Sequence, residues 1–148
     1  MLTFSFELAA EPDTGTQSSY AMGYMSVLGP QGGVDSRTIE PAKQMMIFLS
    51  IVDLLDGLRR LIATPDWDTY QLIGTDSSFS VLFEKIEKDV RVSANGSIIS
   101  QCPAGQVASA VLRGVDLFLA SAQPDEPAFS DLTQARADFK VMLKEIEQ

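Results

Sequence analysis

The stretch from Met45 to Ile62, MMIFLSIVDLLDGLRRLI, constrains the fold more than any other part of the chain. It is rich in helix formers, and its apolar side chains cover most of the circumference of a helix. Pro41 before it suits a first helical turn, and Pro65 after it cannot continue the hydrogen-bond ladder. The sequence therefore predicts a central core helix that begins near Glu40 and ends near Ala63.

Four positions on this helix, Ser50, Asp53, Gly57 and Arg60, follow helical spacing and form one narrow polar seam. We expect this seam to be the strip of the helix that water reaches. A membrane-spanning interpretation fails, because each charged residue in the stretch would cost ~2.5–3.5 kcal/mol near the centre of a bilayer. We therefore expect no membrane association.

Length, charge and cysteine content define the class of protein. The 148 residues fit a single α+β domain. A net charge of −9, from 20 acidic and 11 basic residues, argues against binding nucleic acid and favours a basic protein partner. The single Cys102 permits no internal disulfide, and Glu7 in the N-terminal apolar segment does not fit a secretory signal. We therefore expect a cytoplasmic protein.

The sequence before the central helix predicts two strands and a loop. Thr3 to Leu8 alternates polar and apolar residues, which is typical of a half-buried strand. Tyr20 to Leu28 is predicted as a second strand. The glycine-rich stretch from Gly29 to Gly33 has no phosphate-binding signature, so it is interpreted as a flexible loop.

Four short strands are predicted after the central helix. They cover Thr69 to Ile73, Phe79 to Lys85, a segment around Val90 and Val92, and Ser97 to Ile99. Asn95-Gly96 between the last two suits a tight hairpin turn with positive φ at both central residues. Four consecutive short strands predict an antiparallel β meander.

Two further helices complete the prediction. Pro103 opens a second mostly apolar helix that runs to about Ser121, and we expect the two apolar helices to pack side by side on the meander. Ser130 is predicted to cap an amphipathic C-terminal helix, which lies outside the body or against a partner. The single domain, 1–148, is thus divided into N-terminal strands with a Gly-rich loop at 1–39, a core at 40–122, a linker at 123–130 and a C-terminal helix at 131–148.

The chain contains no histidine, which removes Ser-His-Asp and Cys-His nucleophile systems and the usual zinc ligand sets. No catalytic residue, metal site or cofactor is predicted. The acidic residues that flank the predicted strands, together with one tryptophan, are the candidates for partner binding: Asp66, Trp67, Asp68, Asp76, Glu84, Glu87 and Asp89.

A long apolar helix, the segment FSVLFEKIEKDVRVSANGSII and the second apolar helix QVASAVLRGVDLFLA follow one another between residues 40 and 121. This order resembles that of small acidic immunity proteins of bacterial polymorphic toxin systems. The resemblance implies stoichiometric, non-catalytic binding of a toxin domain, which for this acidic chain would be a basic one. Two alternatives stay open: a small-ligand binder or His-free enzyme with a pocket between sheet and helices, and a homodimer or other homo-oligomeric subunit.

Overall fold

The computed structural model of this chain describes residues 1–10, 17–38 and 43–147, and it shows two antiparallel sheets and three helices there. The predicted α+β class is confirmed. In chain order the elements are β1 (Thr3–Leu8), β2 (Met22–Gly29), β3 (Gly32–Asp35), β4 (Met45–Met46), α1 (Ile47–Ala63), β5 (Thr69–Ile73), β6 (Ser80–Ile86), β7 (Asp89–Ala94), β8 (Ser97–Pro103), α2 (Ala104–Leu119) and α3 (Ala128–Ile146). Of these helices, none is both long enough and apolar enough to cross a membrane.

The N-terminal sheet has β2 at its centre, with β1 on one side and β3 and β4 on the other. Both predicted strands are confirmed, the second from Met22 onwards. The flexible loop predicted from Gly29 to Gly33 is wrong, because β2 and β3 form a tight hairpin there. Gly29 pairs with Gly32, and only Pro30 and Gln31 lie between them. The turn is packed on β8, where the Gln31 N–H donates to the Ile99 carbonyl at 3.0 Å.

The four strands after α1 form the predicted meander, in the order β5-β6-β7-β8 with every neighbouring pair antiparallel. Its β7–β8 turn is the expected one, since Asn95 and Gly96 have φ values of 53° and 78°. The inner face is apolar and includes Phe83, which stacks on Phe4 of β1 with 6.2 Å between ring centroids. This contact joins the cores of the two sheets.

The central helix is shorter than predicted. Glu40 and Pro41, where the helix was expected to begin, lie outside the described residues. Met45 and Met46 are a short strand instead of helix, and α1 begins at Ile47. The reason is tertiary, because Met45 pairs with Gly23 of β2 and the Met46 N–H donates to the Thr75 carbonyl at 2.9 Å.

The polar seam of α1 is only partly exposed, so that prediction is wrong for two of its four positions. Ser50 is fully buried and its hydroxyl accepts the Thr75 N–H at 2.9 Å. Gly57 is buried beneath the ring of Tyr70. Asp53 and Arg60 are exposed as expected. The small size of serine and glycine, rather than their polarity, suits them to close contacts with the β5 segment.

The helices pack differently from the expected side-by-side pair. The principal helical neighbour of α1 is α3, whereas α2 lies mainly against β1 and touches α1 over a shorter stretch. The C-terminal helix therefore belongs to the body of the domain, and it buries Leu132, Phe139 and Met142 there. Its opposite face is polar, as predicted.

The N-terminus of α3 is fixed by a distant segment. Ser130, the predicted cap, lies within the helix, and its hydroxyl donates to Glu126 instead. The Ala128 N–H donates to the buried hydroxyl of Ser19 at 3.1 Å, and the Ser19 N–H donates to the Asp125 carboxylate at 2.8 Å. Part of the predicted linker is thus tied down by the segment that precedes β2.

Candidate protein-binding surface

The structure brings together six of the seven residues proposed for partner binding. At the end of the meander that contains them, the Lys85 N–H donates a 2.8 Å hydrogen bond to the Asp68 carbonyl, which links β6 to the segment before β5. Asp76 lies at the opposite end, in the β5–β6 turn, with a φ of 60°. The group at the first end consists of Asp66, Trp67 and Asp68 before β5, Glu84 on β6, Glu87 in the β6–β7 turn and Asp89 at the start of β7.

These carboxylates differ in whether they already have a partner. Glu84 forms an ion pair with Arg91 on the neighbouring strand, with 3.4 Å between Nε and Oε1. Asp89 accepts a long hydrogen bond of 3.5 Å from Gln101. The end of the meander therefore carries a mixture of charges, not a uniformly acidic patch.

Four of the six carboxylates have no such partner among the described residues: Glu87 in the β6–β7 turn, and Asp66, Asp68 and Asp76. Asp66, Asp68 and Asp76 are exposed, and within the described part of the chain none of their side chains takes part in a hydrogen bond or an ion pair. All three lie in the turns on either side of β5. Unpaired exposed carboxylates are free to meet basic groups of another molecule.

Tyr70 fixes β5 to α1. Its hydroxyl lies 2.9 Å from the Asp53 carbonyl oxygen and 3.1 Å from the Asp53 carboxylate, and its ring stacks on Phe83 with 5.8 Å between centroids. Burial and the nearby Asp53 carboxylate raise the pKa of Tyr70 well above its usual range. The phenol therefore stays protonated and holds the strand in place.

The face of the meander that points away from the core carries exposed apolar side chains. Ile73 on β5 is 52% exposed and Ile98 on β8 is 40% exposed, with half-buried Leu82 between them. Trp67, two residues before β5, is 40% exposed. Aromatic and apolar groups rimmed by polar ones are typical of protein-binding surfaces.

Two of the grooves on the surface adjoin α2. One, of about 500 Å³, runs between β1 and α2. The other, of about 770 Å³, lies between β8 and the first turns of α2, and its polar lining includes Ser100, Cys102, Gln106 and Arg113. No group of three or more potential metal-ligating side chains occurs within residues 1–10, 17–38 and 43–147.

Comparison with known proteins found no relative: no protein-family model, no curated protein and no solved structure matched the chain.

Sequence reasoning found the charged turns and the strand between them, Thr69 to Ile73, but it did not show that this strand lies at the edge of the sheet. Thr69, Gln71 and Ile73 on β5 are all exposed, and β5 is the outermost strand of the meander on its side. The alternation of these residues with Tyr70 and Leu72 was visible in the sequence. The position of β5 at the edge was not, since it depends on the order of strands in the sheet.

Proposed function

We propose that this chain is a non-catalytic protein-binding module that binds a basic protein partner through the open side of the meander around β5. Inhibition of a basic toxin domain, which the resemblance to immunity proteins implies, is the most specific form of this proposal. The observation that carries it is the set of three unpaired carboxylates, Asp66, Asp68 and Asp76, in the turns on both sides of an exposed strand.

Charge and surface composition support this proposal together. The net charge of −9 attracts a basic partner over long range, and unpaired carboxylates provide the short-range contacts. Trp67 and Ile73 supply exposed apolar area beside them. An aromatic anchor beside a charged rim is the arrangement that most often concentrates binding energy in a protein interface.

Affinity capture from the native host with matched charge variants tests the proposal. The wild-type chain should retain a basic protein in near-equimolar yield, and the double change Asp66→Lys and Asp68→Lys should abolish its capture. Glu145→Lys with Glu147→Lys, at the exposed end of α3, alters the net charge by the same amount and should leave capture unchanged. Equal loss in both double variants would show that only net charge matters, and no basic partner for the wild type would refute the proposal.

Salt dependence provides a second measurement once a partner is captured. Screening shortens the range of charge attraction to ~8 Å at physiological ionic strength. Raising the salt concentration should therefore slow association markedly and change dissociation little. An association rate that does not respond to salt would contradict recruitment by charge.

A further inference from the structure

We propose that the partner docks by adding an extended strand to the free edge of β5, and that this strand has an uncharged centre with basic residues on both sides. This inference rests on the proposed function and specifies the site and the chemistry of the partner.

Within the residues that the structure describes, the pattern of the β5–β6 ladder leaves a row of backbone groups on β5 without hydrogen-bond partners. The Lys85 N–H donates to Asp68 and the Gly74 N–H donates to Phe79, both at 2.8 Å. Hydrogen-bonded positions alternate along an antiparallel pair, so the groups between them point to the outside. The N–H and C=O groups of Thr69, Gln71 and Ile73 therefore form the free edge of β5.

The free edge is short and has a defined end. Immediately after Ile73 and Gly74, the Thr75 N–H donates to Ser50 Oγ and the Thr75 carbonyl accepts the Met46 N–H, both at 2.9 Å. β4 therefore occupies the place where a longer added strand would continue. The five residues of β5 span ~17 Å, which suits a partner segment of similar length.

The residues that form the free edge also present their side chains to solvent. Thr69, Gln71 and Ile73 are all exposed and uncharged, so they meet a partner strand with polar and apolar contacts on one face. The unpaired Asp66 and Asp68 precede this segment, and Asp76 follows it. Basic residues on both sides of the added strand complement this charge pattern.

Nearby basic groups do not cancel these charges. The Lys85 ammonium donates to the carbonyl oxygen of Thr64 at 2.8 Å, and it forms no ion pair within the part of the chain that the structure describes. Arg91 is paired with Glu84. The carboxylates on both sides of β5 thus stay available to a partner.

The same charges disfavour a second copy of this chain as the occupant. Antiparallel pairing of two β5 strands about Gln71 is the register that uses the whole free edge. That register brings the turn that carries Asp66 in one copy towards the turn that carries Asp76 in the other, at both ends of the pair. Repulsion between these like charges disfavours the pair. Edge strands are protected from self-association in this way in many sheets.

A synthetic peptide tests strand addition without the natural partner. The probe is Lys-Lys-Thr-Val-Thr-Val-Thr-Lys-Lys, and the control has the same centre with glutamates in place of lysines. Binding is measured by the fluorescence of Trp67, the only tryptophan, and by slowed amide exchange at Thr69, Gln71 and Ile73. The lysine peptide should bind roughly tenfold or more tightly than the glutamate peptide. No response at millimolar lysine peptide, or equal binding of the two, would overturn the proposal.

Proline substitutions on β5 and on β8, the two outer strands of the meander, make the test specific. Gln71→Pro removes one outward N–H without breaking the ladder to β6, since proline is tolerated at a free edge. It should weaken binding of the lysine peptide by roughly tenfold. Gln101→Pro makes the matched change on β8, at the other edge of the meander, and should not weaken binding.

N-methylation of the peptide amides that face β5 gives the same test with the wild-type protein, and full binding of the methylated peptide would overturn strand addition.

Failure of this inference is distinguishable from failure of the proposed function. If Gln71→Pro captures the natural partner as well as the wild type does, while Asp66→Lys with Asp68→Lys does not, the partner docks elsewhere and strand addition is refuted. If the wild type itself captures no basic protein, the proposed function is refuted, whereas the peptide measurement still decides whether the β5 edge accepts a strand.

Discussion

β1 and β5 are both edge strands, yet among the described residues a helix covers part of the edge of β1, whereas the edge of β5 is left uncovered along Thr69, Gln71 and Ile73. The outward Phe4 carbonyl of β1 lies directly against Gly114 of α2, where a Cβ atom would collide with it. A helix therefore covers part of that edge, and it approaches closely because one of its residues has no side chain. β1 is an edge strand in the order of the sheet, but part of its edge is protected.

β5 is held against a helix by a side chain instead of by its backbone. The ring of Tyr70 fills the space that Gly57 leaves on α1, so the contact is made beneath the strand. The backbone groups of Gln71 and its neighbours at the edge are not involved. Gly114 therefore lets α2 cover part of the edge of β1, whereas Gly57 lets Tyr70 anchor β5 without covering its edge.

The largest expected effect comes from separating α2 from β1. Gly114→Val would place a branched side chain against the Phe4 carbonyl, and neither backbone has room to move without opening the core. We expect the free energy of unfolding, measured by chemical denaturation, to fall by about 3 kcal/mol. The control is Gly105→Ala on the same helix, where an added Cβ meets only Ile146 at 4.0 Å. A Gly114→Val protein as stable as the wild type would show that α2 does not seal this edge.

A smaller loss is expected on the β5 side. Gly57→Ala would press a methyl group into the ring of Tyr70, which is able to shift where a backbone carbonyl is not. Overpacking costs ~1–3 kcal/mol, and replacement of glycine in a helix recovers up to ~1 kcal/mol. The free energy of unfolding should therefore fall by about 1 kcal/mol. A loss as large as that of Gly114→Val would mean that the two glycines have equivalent roles.

The contrast between the strands also shows what the sequence reveals about the fold. Alternation in β1 and the Asn95-Gly96 turn are local signals, and both predicted the structure correctly. The start of α1 and the cap of α3 were missed because they depend on distant partners. Met45 pairs with β2, and Ser19 reaches Ala128 across 109 positions of the chain.

For the candidate surface, too, the sequence predicted the local features but not those that depend on tertiary structure. Turn aspartates such as Asp66 and Asp76 are recognisable from sequence, because they stand beside predicted strands. Which carboxylates are already neutralised depends on strand register, as the pairing of Glu84 with Arg91 shows. The sequence did not predict the free edge of β5 for the same reason. No local pattern shows whether another strand or a helix covers the outer edge of a predicted strand.

Tyr70→Phe tests the anchor itself. It removes the hydroxyl that lies 2.9 Å from the Asp53 carbonyl oxygen, with an expected loss of about 1 kcal/mol in the free energy of unfolding. The wild type should also lose stability as the pH rises above ~10, because the folded state keeps the phenol proton that the unfolded state releases. The slope that Tyr70 contributes is at most ~1.4 kcal/mol per pH unit. Denaturation of both proteins across this pH range should show that slope only in the wild type, and identical profiles would contradict the raised pKa.

The smallest effect is expected at the free edge. In β1, the residues whose backbone faces outward bury their side chains, as Phe4 and Phe6 do; in β5, Ile73 faces solvent with both its backbone and its side chain. Ile73→Thr should therefore change the free energy of unfolding by less than ~0.5 kcal/mol. The same replacement at fully buried Ile51 should cost several times more. A large loss at Ile73 in the isolated protein would mean that the edge is covered from within this chain, and it would remove the basis for adding a strand from a partner.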